Sequence, residues 1–190
     1  MGRGSRGPAR RWREQYLART FSTGRYVPYE SLVARAAGMR GLDPALARRL
    51  TQAYGQLRPW PEVPRVLAAI AATMPVGAVT NCSGELGHQA AGLVGVPFAV
   101  TVTAQSAGAC KPRPEPYRRA LDALAQPAGR VLFVAGSPYD IPGAGRLGMD
   151  VWWHNRIGMP GRPGPGLVAE HRSLDPLPAF VNGEGGQRHR

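Results

Sequence analysis

The chain has 190 residues, of which 43% are hydrophobic and 19% are charged, a balance typical of one globular domain or of a core with a small subdomain. It has no apolar run of the roughly 20 residues that a transmembrane helix needs, no secretory signal at its basic N-terminus and only two cysteines, too few for a disulfide framework. We therefore expect a cytoplasmic protein that binds no membrane. The formal net charge is +12, but no nucleic-acid-binding motif accompanies the arginines, so we expect no specific nucleic-acid partner.

The first third of the chain is predicted to be helical after a short arm. Residues 1–11 are rich in glycine and arginine without periodicity, which predicts a disordered basic arm. Residues 12–60 form a predicted helical segment, in which helical spacing is clearest at Tyr29, Leu32, Val33 and Ala36. A further helix is predicted to begin at Asp43 and Pro44, an N-cap residue followed by proline at the first helical position.

Beyond residue 60, short apolar runs alternate with helical patterns. After a helix from Glu62 to Thr73, strands are predicted over 76–81, 98–104, 131–136 and 151–154, and helices over 85–93, 114–124 and 141–147. Apolar strands separated by helices of about ten residues predict an α/β fold with a parallel sheet. We assign this core to residues 61–182 and a disordered polar tail to 183–190.

Polar residues follow three of the predicted strands, where ligands bind in open α/β sheets. Thr80 and Asn81 follow the first strand, Lys111 follows the second, and Ser137 and Asp140 follow the third. Structural roles are open for them as well: Thr80 and Asn81 can form a turn or a cap, Lys111 can be solvated, and Asp140 can cap the next helix. Lys111 is, however, the only lysine in an arginine-rich chain, which indicates a need for a compact ammonium group.

Three segments taken together resemble a known family. In chain order they read AVTNCS at 78–83, ACKPRPEPY at 109–117 and FVAGSPYDIPGAGRLGMDVWWHNRIG at 133–158. They resemble the second, third and fourth motifs of the haloacid dehalogenase (HAD) superfamily, hydrolases with a Rossmann-like parallel sheet. WREQYLARTFSTGRY at 12–26 and LRPWPEV at 57–63 resemble the start and the end of the helical cap in its L-2-haloacid dehalogenase (type II) branch.

The resemblance implies a reaction and the residues that carry it. In this family an aspartate attacks the substrate carbon and forms an ester that water then hydrolyses. The implied partner is a small anionic substrate, a 2-haloacid whose carbon–halogen bond is cleaved, and a homodimer is left open. Catalytic roles are implied for Lys111, which keeps the nucleophile ionised, for Asp140, which orients Lys111 or the water, and for Ser137. Substrate-binding roles are implied for Arg13, Thr80, Asn81 and Tyr117.

The fourth motif departs from the family's pattern. Dehalogenases carry serine and asparagine where this chain has Ala135 and Ser137, and phosphatases carry a metal-binding aspartate where it has Gly136. Because Mg²⁺ is normally held by carboxylates and substrate phosphates, we expect a reaction without a metal or other cofactor. Magnesium would be needed only if the protein were instead a phosphatase of the same superfamily.

The first family motif is the larger departure. An apolar strand ending in Asp-x-x-Gly-Thr should precede Trp12 by some tens of residues, but residues 1–11 contain no strand-like run. That strand is central in the family's sheet, so its neighbours would expose unpaired backbone groups. We expect the chain as given to be truncated or inactive, and a non-catalytic protein that binds an anion or a partner is the remaining alternative.

Overall fold

The computed structural model describes residues 7–43, 45–161 and 163–183, except for the side chain of Arg10. Residues 1–6 of the predicted arm and 184–190 of the predicted tail lie outside the described residues. Within the described ranges, no helix combines the length and the apolar composition needed to cross a membrane.

The helical segment consists, among the described residues, of α1 (Pro8–Ser22), α2 (Tyr29–Gly38), α3 (Ala45–Gln52) and a 3-10 turn (Ala53–Gln56). The four apolar residues that define the helical spacing of α2 are all buried, as predicted. Asp43 accepts a hydrogen bond from the backbone N–H of Ala45 at 2.8 Å, as expected of the predicted N-cap, whereas Pro44 lies outside the described residues.

Helix α1 begins earlier than the sequence indicated. Residues 8–11 are helical in the structure, whereas a disordered arm was predicted there. Pro8 suits the first turn of a helix because its fixed φ is already helical. The next turns are anchored by Trp12 and Tyr16, which are both buried in a cluster with residues of α2 and α3. Tertiary packing therefore extends the helix into a segment that has no periodicity of its own.

The core alternates strands and helices, with parallel pairing throughout. Its strands are β1 (Gly77–Thr80), β2 (Val100–Thr103), β3 (Leu132–Ala135), β4 (Asp150–His154) and β5 (Leu167–His171). Its helices are α4 (Val63–Ala71), α5 (Gly84–Gly92), α6 (Ala104–Ala107), α7 (Pro114–Leu124), α8 (Ile141–Gly145) and α9 (Leu177–Val181). The prediction of an α/β fold with parallel strands is confirmed.

The described strands form two sheets rather than one. Strand β1 pairs with β2, and a separate sheet has the order β3–β4–β5. The break falls between β1 and β3. Helix α7 lies against both sheets: the Tyr117 ring contacts the Phe133 ring of β3 with 5.2 Å between centroids. At its other end, Leu124 would lie 3.5 Å from a Cβ placed on Gly77 of β1.

Strand β5 and helix α9 were not predicted, because the chain beyond Gly158 is rich in glycine and proline. Strand β5 is an edge strand with partly exposed residues, such as Val168 at 44% exposure, so it lacks a continuous apolar run. Helix α9 is too short to show a helical period, and its burial rests on Leu177, which packs in a cluster with Trp152 of β4. Both elements are stabilised by β4, with which β5 forms backbone hydrogen bonds and against which α9 packs its side chains.

Candidate active site

Three of the predicted site residues meet beside the carboxyl ends of the strands. Nζ of Lys111 lies 3.2 Å from Oδ2 of Asp140, and the Tyr117 hydroxyl donates to Oδ1 of Asp140 at 2.8 Å. The side chains of Lys111 and Asp140 are only 10% and 4% exposed, and Tyr117 is buried. The structure therefore joins an ammonium, a carboxylate and a phenol that are separated by up to 29 positions in the chain.

Local structure explains how Asp140 reaches this position. Asp140 occupies the N-cap position of α8, as its structural alternative predicted, but its side chain makes no capping hydrogen bond. Instead, its Oδ2 accepts a hydrogen bond from Lys111 and its Oδ1 accepts one from Tyr117. Helix α8 can approach because Gly143 has no side chain: a Cβ there would lie 2.5 Å from the Tyr117 hydroxyl oxygen. Glycine at this position thus permits the contact between Tyr117 and Asp140.

The charges of this cluster are buried and mutually compensated. A buried charge is costly unless it is paired and hydrogen-bonded. The Asp140 carboxylate is paired with Lys111, and each of its two oxygens accepts a hydrogen bond. Burial, and then the Asp140 carboxylate, raise the pKa of Tyr117 well above its ordinary value, so Tyr117 remains a protonated donor at neutral pH. The Lys111 ammonium also lies 5.5 Å from the centroid of the Phe133 ring. An ammonium has three donors, so Lys111 retains capacity for a second anion.

Asn81 fixes the backbone of Lys111. Its Oδ1 accepts a hydrogen bond from the backbone N–H of Lys111 at 2.6 Å, and its Nδ2 donates to the carbonyl oxygen of Lys111 at 3.1 Å. The carboxamide at the end of β1 therefore positions the lysine, and in this arrangement both its ends are used within the protein. Oγ1 of Thr80 accepts from the backbone N–H of Cys82 at 3.3 Å, which is the turn contact left open from the sequence. The substrate-binding roles of both residues remain predictions.

Ser137 and Arg13 are not joined to this cluster. Oγ of Ser137 accepts a weak hydrogen bond from the backbone N–H of Tyr139 at 3.4 Å, within the loop that leads to Asp140. Arg13 lies on an exposed part of α1. No hydrogen bond or ion pair within the described residues connects either side chain to Lys111 or Tyr117. Their catalytic and substrate-binding roles likewise remain predictions.

The sequence did not indicate how the helical segment contacts this site. Phe21, near the end of α1, stacks on Tyr139 with 4.9 Å between ring centroids and 24° between the ring planes. Residues 24–26 and 108–110 also exchange two backbone hydrogen bonds of 2.9 and 3.0 Å. The helical segment is therefore attached both to the loop before Lys111 and to the loop before Asp140. Both aromatic residues lie in segments that carry the family resemblance, but nothing in their spacing predicts the pair.

The site offers few ligands to a metal ion. Across the described ranges, no three His, Cys, Asp or Glu side chains come together as a metal-binding group. Asp140 is the carboxylate of the cluster, and both its oxygens already accept hydrogen bonds. Gly136, at the position where the phosphatases carry a metal-binding aspartate, has no side chain to contribute.

Comparison with known proteins establishes the family. The family model of haloacid dehalogenase-like hydrolases matches residues 6–148. The chain belongs to this family. It is 31% identical to a haloacetate dehalogenase of Moraxella sp. (strain B) over 159 residues, which are 77% of this chain and 71% of the relative. It is 30% identical to an (S)-2-haloacid dehalogenase of Pseudomonas putida over 162 residues, which are 79% of this chain and 72% of the relative.

Solved structures agree with the assignment of the fold. The L-2-haloacid dehalogenase from Xanthobacter autotrophicus with covalently bound chloropropionic acid matches with a TM-score of 0.77 and 21% sequence identity. The match covers 91% of this chain and 84% of that chain. The resemblance predicted from the sequence motifs is thus confirmed for the family and for the fold, and it makes the protein a member of a hydrolase family.

Proposed function

We propose that this protein, in its complete form, hydrolyses the carbon–halogen bond of a small 2-haloacid through an aspartyl-ester intermediate. The observation that carries the proposal is the buried Lys111 ammonium, which is held by Asp140 and still has donors for a second carboxylate. The curated relatives at 31% and 30% identity, a haloacetate dehalogenase and a 2-haloacid dehalogenase, support this substrate class.

The proposed reaction has two steps. The carboxylate of an aspartate placed beside Lys111 attacks C2 of the haloacid, so that an ester C–O bond forms while the carbon–halogen bond breaks and halide leaves. Water then attacks the ester carbonyl, which releases a 2-hydroxyacid and a proton and restores the carboxylate. The ammonium of Lys111 favours the ionised form of the attacking carboxylate. Asp140 and Tyr117 hold that ammonium in place.

Among the described residues, no aspartate is placed as a nucleophile beside Lys111. Asp43 caps α3, Asp122 lies on α7, Asp150 begins β4 and Asp175 pairs with Arg65, so these four lie elsewhere in the fold. Both oxygens of Asp140 are engaged by Lys111 and Tyr117. We therefore propose that this chain alone does not turn over haloacids, because no carboxylate stands where the ester must form.

The proposal is tested by supplying an aspartate that can act as the nucleophile. The 190-residue chain is compared with a chain extended ahead of residue 1 by an apolar strand that ends in Asp-x-x-Gly-Thr, and with the same extended chain carrying asparagine for that aspartate. We expect chloride release from 2-chloropropionate from the aspartate-bearing chain alone. Halide release by the 190-residue chain, or equal release by the asparagine control, would contradict the proposal.

A chelator separates the dehalogenase from the phosphatase. With Gly136 in place of a carboxylate and Asp140 already paired, we expect halide release from the extended chain to be unchanged by EDTA. A phosphatase makes the opposite demand, because the charge on a transferring phosphoryl group is normally offset by the metal ion. Chelator-sensitive hydrolysis of p-nitrophenyl phosphate without halide release would replace the dehalogenase with a phosphatase.

A further inference from the structure

Two arginines of the helical segment converge on side chains that are poor partners for a cation. Nη2 of Arg19, in the last turn of α1, contacts the Sδ atom of Met39, the residue that follows α2. Nε2 of Gln15 lies 3.7 Å from the same sulfur. The Oε1 atom of Gln15 in turn accepts a hydrogen bond from Nε of Arg40 at 2.5 Å. The two guanidinium groups are thus linked through one carboxamide and one thioether.

The packing of α1 against α2 brings these side chains together. Gln15 and Arg19 are four positions apart on α1 and therefore lie on one face of that helix. Beside this face, Trp12 packs with residues of α2, and its indole N–H donates to the carbonyl oxygen of Val33 at 3.1 Å. The chain leaves α2 at Met39, whose side chain is 60% exposed. The cluster is therefore fixed by helix packing and is accessible from solvent.

Neither guanidinium group is neutralised by a carboxylate of the described chain. Within the described residues, Arg19 and Arg40 form no ion pair. Residues 8–58 contain ten arginines and three acidic residues, so the surroundings are positively charged as well. Positive side chains are stabilised at the carboxyl ends of helices, which accounts for an arginine in the last turn of α1. It does not account for the convergence of two cations on Gln15 and Met39.

The donors of this cluster have capacity for a stronger acceptor. A guanidinium group presents five N–H donors in a planar fork, whereas a thioether sulfur is a neutral and weak acceptor. Hydrogen bonds from a guanidinium group to an anion are roughly twice as strong as neutral ones. An oxyanion is therefore a better partner for Arg19 than the sulfur of Met39. The Met39 side chain is exposed and flexible, so it can move aside without opening the hydrophobic core.

We propose that Arg19, Arg40 and Gln15 form a binding site for a phosphate dianion, either inorganic phosphate or a small phosphate monoester, whose oxygens replace the Sδ atom of Met39. Two guanidinium groups match the two charges of the dianion, and each planar fork can bind two of its oxygens. The carboxamide nitrogen of Gln15 supplies a neutral donor beside them. The site shares no residue with the Lys111 cluster, so the proposal is independent of the proposed function.

The test is an NMR titration of the 190-residue chain with inorganic phosphate at constant ionic strength. At about pH 8 the phosphate is mostly dianionic. The methyl signal of Met39, assigned through Met39→Leu, reports the displacement of its side chain. We expect a saturable shift with a dissociation constant on the order of 1 mM. Arg19→Gln and Arg40→Gln should each weaken binding by about tenfold or more, because each variant loses a charge-assisted contact.

Matched controls separate a specific site from a response to net charge. Arg48→Gln removes the same charge from an exposed position on α3 and should leave the dissociation constant within about twofold, because distant exposed charges are screened. Equal weakening by Arg48→Gln, or a shift that sodium chloride reproduces at the same ionic strength, overturns the site. The absence of a saturable shift does so too. A shift confined to the signals of Asn81 and Lys111 would place the phosphate at the candidate active site and overturns the proposal as well.

Other ligands and one further variant test the chemistry of the site. Acetate carries a single charge and should bind about tenfold or more weakly than phosphate, so equal affinity overturns the assignment to a dianion. Tighter binding of a short oligothymidylate, with the same dependence on Arg19 and Arg40, would assign the site to nucleic acid and overturns the small ligand. Met39→Leu, followed through the side-chain amide signals of Gln15, should bind phosphate at least as tightly, because no sulfur then competes for the donors. Loss of binding in that variant overturns the displacement of the sulfur.

Discussion

Replacing Lys111 by methionine should destabilise the fold strongly, because it breaks a buried ion pair on one side only. Asp140 is 4% exposed and would keep the Tyr117 hydroxyl as its remaining partner. Removing one member of such a pair costs about 3–5 kcal/mol of unfolding free energy, since an uncompensated charge is left behind. Asp140→Asn should cost less, about 1.5–3 kcal/mol, since its amide oxygen still accepts a hydrogen bond while the charge is lost.

The double variant separates the pair from its surroundings. When Lys111→Met and Asp140→Asn are combined, no unpaired charge remains, so the loss should be smaller than the sum of the single losses. We expect a coupling of about 2 kcal/mol at neutral pH, measured by urea unfolding of the 190-residue chain. The ion pair between Arg65 and Asp175 is the matched control: its side chains are 70% and 55% exposed, so its coupling should stay below about 1 kcal/mol.

Additivity would refute this reasoning. If the losses of Lys111→Met and Asp140→Asn add within about 0.5 kcal/mol, the two charges do not depend on each other in the folded state. A coupling no larger than that of Arg65 and Asp175 would have the same meaning. In either case the ion pair of Lys111 and Asp140 would not contribute to holding the cluster in a fixed geometry.

Three further predictions concern thiol reactivity, pH dependence and the lysine head group. Burial raises the pKa of the Cys110 thiol, so a disulfide reagent should modify Cys82 first and Cys110 only on unfolding, and Cys82→Ser should remove the fast phase. Burial lowers the pKa of His154 below 6.5, so just below that pH the unfolded chain binds more protons than the folded chain does. Above pH 6.5 this group therefore does not reduce the free energy of unfolding, and the free energy of unfolding decreases as the pH falls below that value. His154→Gln should flatten that fall in unfolding measurements, whereas the same change at the exposed His88 should not. In the extended chain, Lys111→Arg should reduce halide release by about tenfold or more, because a planar guanidinium does not replace a compact ammonium; near-normal release would place Lys111 outside the site.

Much of the site could be predicted because parallel strands bring their carboxyl ends to one edge. Lys111 and Asp140 follow different strands, and the rule for open α/β sheets alone places them near each other. The family motifs added Tyr117, which the structure places on the same carboxylate. The spacing of apolar residues likewise predicted α2 and the strands β1 to β4, because the buried positions of these elements follow one another closely in the sequence.

What the sequence could not indicate depends on partners far away in the chain. Helix α1 extends to Pro8 because Trp12 packs against α2, and the indole N–H donates to the carbonyl oxygen of Val33 at 3.1 Å. The stacking of Phe21 on Tyr139 brings together residues from the helical segment and the core. Neither contact leaves a periodic signal, because each joins two positions that are irregularly spaced in sequence.

Asn81 shows why the chemistry of a residue does not fix its role. A carboxamide at a strand end can bind a substrate, a helix end or a neighbouring loop equally well, and its sequence context is the same in each case. Here it binds the backbone of Lys111 from β1, while Asp140 binds the Lys111 side chain from beyond β3. Lys111 is thus held at its backbone from the end of β1 and at its side chain from beyond β3, an arrangement that the chemistry of no single residue indicates by itself.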